Sequence, residues 1–281
     1  MFPPGLRGES VLVYNPAMIR ECGPSDREKI LSYAYRQEAE NMFIIESFNG
    51  TRPFGENRYF GAFEGGEMKG LAVSFDLWGS FIAHGEEETV QALVDFIVPL
   101  SLPLKAIPAF RRFAEPAVDR FRAHGFIPRR LEPSLVLLLS PQAFRPAESQ
   151  AVPACPEDVV ALMVLQRILH RQPLADPFTE AERQRAVPGK TFVMHEEGRV
   201  VAKAILAGRS LHYGQIGGVV THPDFRRRGY GRRCVSALCK KCFDAGIEKM
   251  ILFTAEENIP AQRLYQSLGF AMVDRYLLAE Y

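Results

Sequence analysis

Apolar and polar positions fall into two series of the same kind, separated by residues 140–156, a proline-containing polar stretch without an apolar period. Each series opens on a proline–acid turn that predicts a helix start, Pro24-Ser25-Asp26 in the first and Pro156-Glu157-Asp158 in the second. Apolar residues then recur at helical spacing: Ile30, Leu31 and Ala34, and later Val159, Leu162, Leu165, Ile168 and Leu169. A hairpin pattern follows in each, residues 59–63 and 68–75 around Glu64-Gly65-Gly66-Glu67, and residues 191–194 and 200–206 around Glu196-Glu197-Gly198. Each series closes on a short helix, a Gly-Phe pair and a final strand. Counted back from Gly125-Phe126 and Gly269-Phe270, Pro116-Ala117 falls on Pro260-Ala261, and Phe121 falls on Tyr265. The chain reads as a diverged tandem repeat of one α/β unit, with domains at 1–140 and 150–281.

Composition narrows the function classes. The 281 residues suffice for two domains of such size, and 47% apolar with 24% charged residues is the balance of a soluble globular protein. A net charge of +1 argues against a surface built as a whole for nucleic acid or anionic membrane, so a basic site has to be local. The most apolar stretch, residues 90–104, is interrupted by Asp95, Pro99 and Pro103 and is too short to span a bilayer. Residues 1–15 carry Pro3, Pro4 and Gly5 where a secretory signal needs an apolar run. Five cysteines, an odd number, read as reduced thiols of a cytoplasmic protein. Cys239 and Cys242 fall on a buried helix face and read as core packing, with no metal expected.

The chemistry concentrates in residues 217–246. The β-rich run Gly217-Gly218-Val219-Val220-Thr221 stops at His222-Pro223, and Asp224-Phe225-Arg226-Arg227-Arg228-Gly229-Tyr230-Gly231-Arg232-Arg233 follows. Val235, Leu238, Cys239 and Cys242 then mark a helix, with Gly246 placed for its C-cap. Glycines in a strand-to-helix turn let backbone wrap an anion, and the free N–H groups and dipole of the first helical turn attract it. With up to five arginines around it, the loop suits a pyrophosphate. It is neither a Walker loop nor a dinucleotide fingerprint.

Here the sequence resembles the GNAT superfamily of acyl-CoA-dependent N-acyltransferases. Its signature Arg/Gln-x-x-Gly-x-Gly/Ala is matched by Arg226, Gly229 and Gly231, and its second signature by Asn258, Ala261, Leu264-Tyr265 and Gly269-Phe270. The resemblance covers roughly residues 155–281. It implies an α/β (α+β) fold of tandem GNAT-like units, each a mixed, mostly antiparallel sheet flanked by helices. It further implies that backbone groups of Val219, Val220 and Thr221 hold the pantetheine arm and acyl carbonyl. On the same resemblance, the N–H groups of Arg226, Arg227, Arg228, Gly229, Tyr230 and Gly231 cradle the pyrophosphate. Asn258 stands near the pantetheine, and Tyr265 is the acid that protonates the leaving thiolate. The implied reaction transfers acetyl from acetyl-CoA to a primary amine by direct attack, with no covalent intermediate. The acceptor is a small-molecule or peptide amine, and no nucleic acid or membrane partner is expected. A homodimer stays open.

No motif position carries over for the catalytic base. His195, Glu196, Glu197, His212 and Tyr213 stand near the right strands, Glu196 and Glu197 reading first as turn residues. His170, Asp176 and Glu180 fall where the family borders its acceptor and read otherwise as solvated residues; Trp78 reads as a core or loop anchor. In the first half the cradle position reads Gly85-Glu86-Glu87-Glu88-Thr89, whose carboxylates repel a pyrophosphate, and Phe121 replaces the tyrosine. Two other classes stay open: an acyl-CoA-binding sensor without turnover, and an RNA-binding accessory using the arginine cluster.

Overall fold

The computed structural model describes residues 18–281 apart from 50–52, 77, 175–176 and 187. The first half runs β1 (Met18–Cys22), α1 (Arg27–Arg36), α2 (Met42–Ser47), α3 (Pro53–Glu56), β2 (Asn57–Glu64), β3 (Glu67–Phe75), β4 (Ser80–His84), α4 (Glu87–Ile97), β5 (Ala106–Phe110), α5 (Arg111–Ala123) and β6 (Arg130–Leu139). The second runs β7 (Val152–Pro153), α6 (Val159–His170), α7 (Glu180–Arg185), β8 (Thr191–Glu196), β9 (Arg199–Arg209), β10 (Tyr213–Thr221), α8 (Tyr230–Asp244), β11 (Lys249–Ala255), α9 (Ile259–Ser267) and β12 (Ala271–Glu280).

The repeat extends to the cap chemistry. Asp26 Oδ2 accepts the Gly23 N–H at 3.1 Å, and Asp158 Oδ2 accepts the Cys155 N–H at 3.0 Å, each closing the single 3₁₀ turn that launches α1 or α6. Arg20 then braces Asp26 with two bonds, whereas His195 braces Asp158 with one at 3.1 Å. Both hairpins form at the expected turns.

The described strands form one twelve-stranded sheet, in the order β1-β2-β3-β4-β5-β12-β6-β11-β10-β9-β8-β7. Its centre holds the feature that sequence patterning does not show. β6, the last strand of the first half, pairs along β11 of the second half, from Leu139 opposite Met250 to Ser134 opposite Ala255. β12, the last strand of the chain, pairs along β5 of the first half, from Tyr276 opposite Phe110 to Glu280 opposite Ala106. The two exchanged strands also pair with each other. The segment read as a linker is therefore where the chain leaves β6, already inside the second half's sheet, to start β7.

The cores follow the exchange. Tyr276, Leu277 and Ala279 of β12 are buried with Leu93, Phe113 and Phe121 of α4 and α5. Leu137 and Leu139 of β6 are buried with Val235 and Leu238 of α8 and with Leu268. In the second half, paired Met194 and Ala202 face α8, while the next pair, Val193 and Lys203, faces α6. Polar ties add to the join: Glu38 accepts from the His212 N–H at 2.8 Å and meets its ring, and Glu46 meets Lys190 at 2.6 Å and the Arg209 N–H at 2.9 Å. Among the described residues no helix is long and apolar enough to cross a membrane.

Candidate active site

The site begins where two parallel strands part. β10 and β11 pair only from Tyr213 opposite Lys249 to Ile216 opposite Leu252. Beyond that point β11 stays with β6, while β10 stays with β9 through register shifts at Gln215/Ile216 and between Gly217 and Val220. Gly218 takes φ +56° within the second shift, a conformation that favours a residue without Cβ. The backbone of residues 217–219 is thus turned out of the β10–β11 ladder and faces an open wedge, where its polar groups need a partner.

The cradle closes one mouth of this wedge. After a 3₁₀ turn (Pro223–Phe225) the chain passes through Arg227 at φ +64° and Gly229 at φ +78° into α8. Arg233 donates to the Gly229 carbonyl at 3.1 Å, so the N–H groups of residues 230–232 precede the helical ladder and point outward. A Cβ on Gly231 would stand 3.3 Å from Thr221 Oγ1, 3.3 Å from Leu264 Cδ1 and 3.9 Å from Val219 Cγ1. Bare backbone here brings the helix start against both arms of the wedge. Arg226, Arg227 and Arg228 are exposed around it; Arg226 Nε donates to the Thr221 carbonyl and Arg228 lies over the Phe225 ring.

The other arm carries Asn258 and Tyr265. Asn258 caps α9, its side chain accepting the Ala261 N–H at 3.3 Å. Tyr265 is 6% exposed and packs edge-on to Phe270. Burial pushes its phenol well above the usual range, so it is protonated throughout the neutral region. Its hydroxyl has no hydrogen-bond partner among the described residues and is not among the unpartnered side-chain atoms sealed from solvent.

On the α6 side of the sheet lies a cavity of about 500 Å³. Its walls include Leu162, Gln166 and His170 of α6, the loop prolines Pro173 and Pro177, Glu182 of α7, and Lys203 of β9. Arg167 holds this frame together, donating to Glu182 at 2.6 and 2.9 Å and to the carbonyls of Pro173 and Pro177. The Arg167 guanidinium holds the Glu182 carboxyl down at about 2.

Known proteins match this geometry. The Acetyltransferase (GNAT) family model matches residues 160–270. An acetyltransferase of Sodalis glossinidius is 30% identical over 122 residues, 43% of this chain and 84% of that protein. The chain belongs to the GNAT acetyltransferase family. An acetyltransferase of Yersinia enterocolitica is 27% identical over 109 residues, 39% of this chain and 77% of that protein. Two solved structures share the fold across both halves. A GCN5-related N-acetyltransferase from Sphaerobacter thermophilus superposes with a TM-score of 0.63 at 17% identity, covering 94% of this chain and 95% of that one. A tandem GNAT protein from the clavulanic acid biosynthesis pathway does so with a TM-score of 0.57 at 12% identity, covering 94% and 98%.

The structure sorts this GNAT protein's remaining sequence candidates. His212 and Tyr213 stand at the wrong end of β10, some eight residues or about 26 Å from Thr221. His212 is engaged there by Glu38, which raises its pKa, and Tyr213 accepts from Lys249 at 3.4 Å. His195 is tied to Asp158, and Glu197 is a left-handed turn residue at φ +50°. Glu196 accepts a 2.6 Å bond from the Tyr230 hydroxyl, so the Tyr230 side chain anchors the start of α8 and only its backbone faces the cradle. His170 lines the cavity, Glu180 opens α7, and Asp176 lies outside the described residues.

Two other readings change. Trp78 is 51% exposed, and rather than anchoring the first half's core it lines the second half's cavity. Lys203 is absent from the sequence candidates; the available signal is a lone lysine in the apolar run Val200-Val201-Ala202-Lys203-Ala204-Ile205-Leu206. The cysteines of α8 behave as core residues: Cys234, Cys239 and Cys242 are buried, and burial pushes their thiols up, Cys242 to about 11, whereas Cys155 is exposed. Among the described residues no group of His, Cys, Asp and Glu is arranged to hold a metal. In the first half, α4 starts on Glu86, Glu87 and Glu88, and the Thr89 methyl fills the space beside Gly70.

Proposed function

We propose that the second half binds acetyl-CoA and transfers its acetyl group to a primary amine by direct attack. The observation that carries this reading is the convergence at Gly231. There the outward N–H groups of α8, the turned-out backbone of residues 217–219 and the α9 arm with Asn258 and Tyr265 meet around one wedge. When bound, acetyl-CoA supplies the activated thioester and a thiol leaving group. The N–H groups from Arg227 to Gly231 hold the pyrophosphate, with the cations of Arg226, Arg227 and Arg228 around it; the Arg226 N–H, expected in the cradle, instead closes the 3₁₀ turn on the Pro223 carbonyl at 3.3 Å. Backbone of Val219, Val220 and Thr221 orients the acyl arm and steadies charge that develops on its carbonyl oxygen. Tyr265 offers a protonated hydroxyl at the wedge. The cavity on the α6 face receives the amine, with Trp78 of the first half at its wall.

The direct test is thiol release from acetyl-CoA across a panel of primary amines, paired with calorimetric titration. One acetyl-CoA binds per chain, and at least one amine is turned over. Binding without turnover over the whole panel would leave a sensor; no binding would remove the reading. Tyr265→Phe is expected to bind acetyl-CoA with native affinity while kcat falls by about 10²–10⁴-fold. Full kcat in that variant would remove the acid role.

A further inference from the structure

We propose that Lys203 is the general base of this acetyltransferase, its neutral amine taking a proton from the incoming ammonium group. The proposal rests on the transferase reading above. Lys203 sits on β9 directly opposite Val220 of β10, on the face shared with the α6 cavity, where paired side chains have Cβ atoms about 5 Å apart. It therefore stands between the cavity that receives the amine and the strand that orients the acyl group.

Its environment disfavours the ammonium form. Lys203 is 2% exposed and has no carboxylate partner among the described residues. Its Nζ donates to the Leu162 carbonyl at 3.1 Å and to Gln166 Oε1 at 2.7 Å. Both partners are acceptors, so they use the two N–H bonds of a neutral amine and leave its lone pair over. Gln166 is held in that orientation because its Nε2 donates to His170 Nε2 at 2.7 Å. The charged and titratable groups of the cavity wall besides Lys203 are Arg167, His170 and Glu182, and Arg167 is neutralised in place by Glu182. From the adjacent strands the facing residues are Val193 and Val220, both apolar. Burial without a counter-ion pulls the Lys203 pKa down to about 8.

The acceptor ammonium gives one proton to Lys203 Nζ, and the freed lone pair forms the C–N bond to the acetyl carbonyl. The C–S bond breaks, and the thiolate takes its proton from Tyr265, which recovers one from the amide nitrogen through solvent. Lys203 returns its proton to solvent.

The first test needs no acceptor. Labelling of the intact protein with acetic anhydride from pH 6 to 10, read by mass spectrometry of the Lys203 peptide, is expected to give a half-point near pH 8. A half-point with the surface lysines, or no labelling, would overturn the proposal. In turnover assays Lys203→Arg, which cannot deprotonate, is expected to keep native acetyl-CoA affinity, to lose about 10²–10⁴-fold in kcat/KM above pH 8, where native Lys203 is neutral, and to lose the acid limb that Lys203 sets near pH 8. An unchanged acid limb would also overturn it.

A stability readout separates this from a merely structural lysine. The folded value lies below the unfolded one, so the cost of holding Lys203 charged is complete below pH 8 and fades as pH rises toward 10.5. Lys203→Met is therefore expected to melt at or above the native temperature at pH 7, whereas a structural lysine predicts a lower one. If the native protein fails to bind acetyl-CoA at all, the transferase reading falls while the labelling result still decides the state of Lys203.

Discussion

The triple variant Arg228→Glu/Gly229→Glu/Gly231→Glu is expected to lose acetyl-CoA binding, with Kd raised at least about a thousandfold, or about 4 kcal/mol. Several terms of similar size act together. Removing the Arg228 cation forfeits charge-assisted bonds worth about 1.5–3 kcal/mol. Each new carboxylate in the first turn opposes a bound anion by about 0.3–1 kcal/mol through the dipole alone. At position 231 the side chain must also enter space held by Thr221 and Leu264. Calorimetry reads the loss, and retained far-ultraviolet circular dichroism shows that the fold survives. Undiminished affinity would place the cofactor elsewhere. The first half already carries this experiment in its own sequence, with Glu86, Glu87 and Glu88 at the matching helix start.

A second large effect is expected from cutting the chain at its polar stretch. Residues 150–281 alone should not fold as a monomer that binds acetyl-CoA. Without β6, the β11 edge from Met250 to Ala255 is unpaired, and β12 loses its partners on both sides. The core also loses Leu137 and Leu139, each worth about 1.5–3 kcal/mol when buried, against about 5–15 kcal/mol for a whole domain. Co-expression with residues 18–145 should restore a bound, cooperatively melting complex. Size-exclusion chromatography and thermal melts distinguish the cases. A stable monomeric fragment would show that β12 can replace β6 against β11.

What could be read from sequence follows a physical divide. The tandem repeat was legible because helix caps and hairpin turns are local: Gly23-Pro24-Ser25-Asp26 and Cys155-Pro156-Glu157-Asp158 form the same turn through the same aspartate bond. Glycine at 229 is legible because its φ of +78° is a local backbone demand, while at 231 a Cβ would crowd Thr221 and Leu264. The strand exchange was not, since β6 and β12 carry the same alternation whichever half they join. Nearness in sequence to β10 says nothing about which end of the strand bears the wedge, and His212 stands at the end away from it. The sequence does not mark Lys203 because its meaning comes from burial with no carboxylate beside it among the described residues, a property of packing. Trp78 reaches the second half's cavity from the other repeat, across a fold that local pattern cannot see.

The exchange of β6 and β12 changes what evolution can do with the first half. A repeat unit without the matched glycine signature is ordinarily free to decay or be deleted. Here it holds the central strand of its sister, and its sister holds one of its own. Changes that unfold the first half therefore unfold the second as well, so the two halves stand or fall together. Conversely, on the proposed reading, acyl-CoA bound at the second half would stabilise the first as well, so destabilising mutations there would be buffered whenever substrate is abundant.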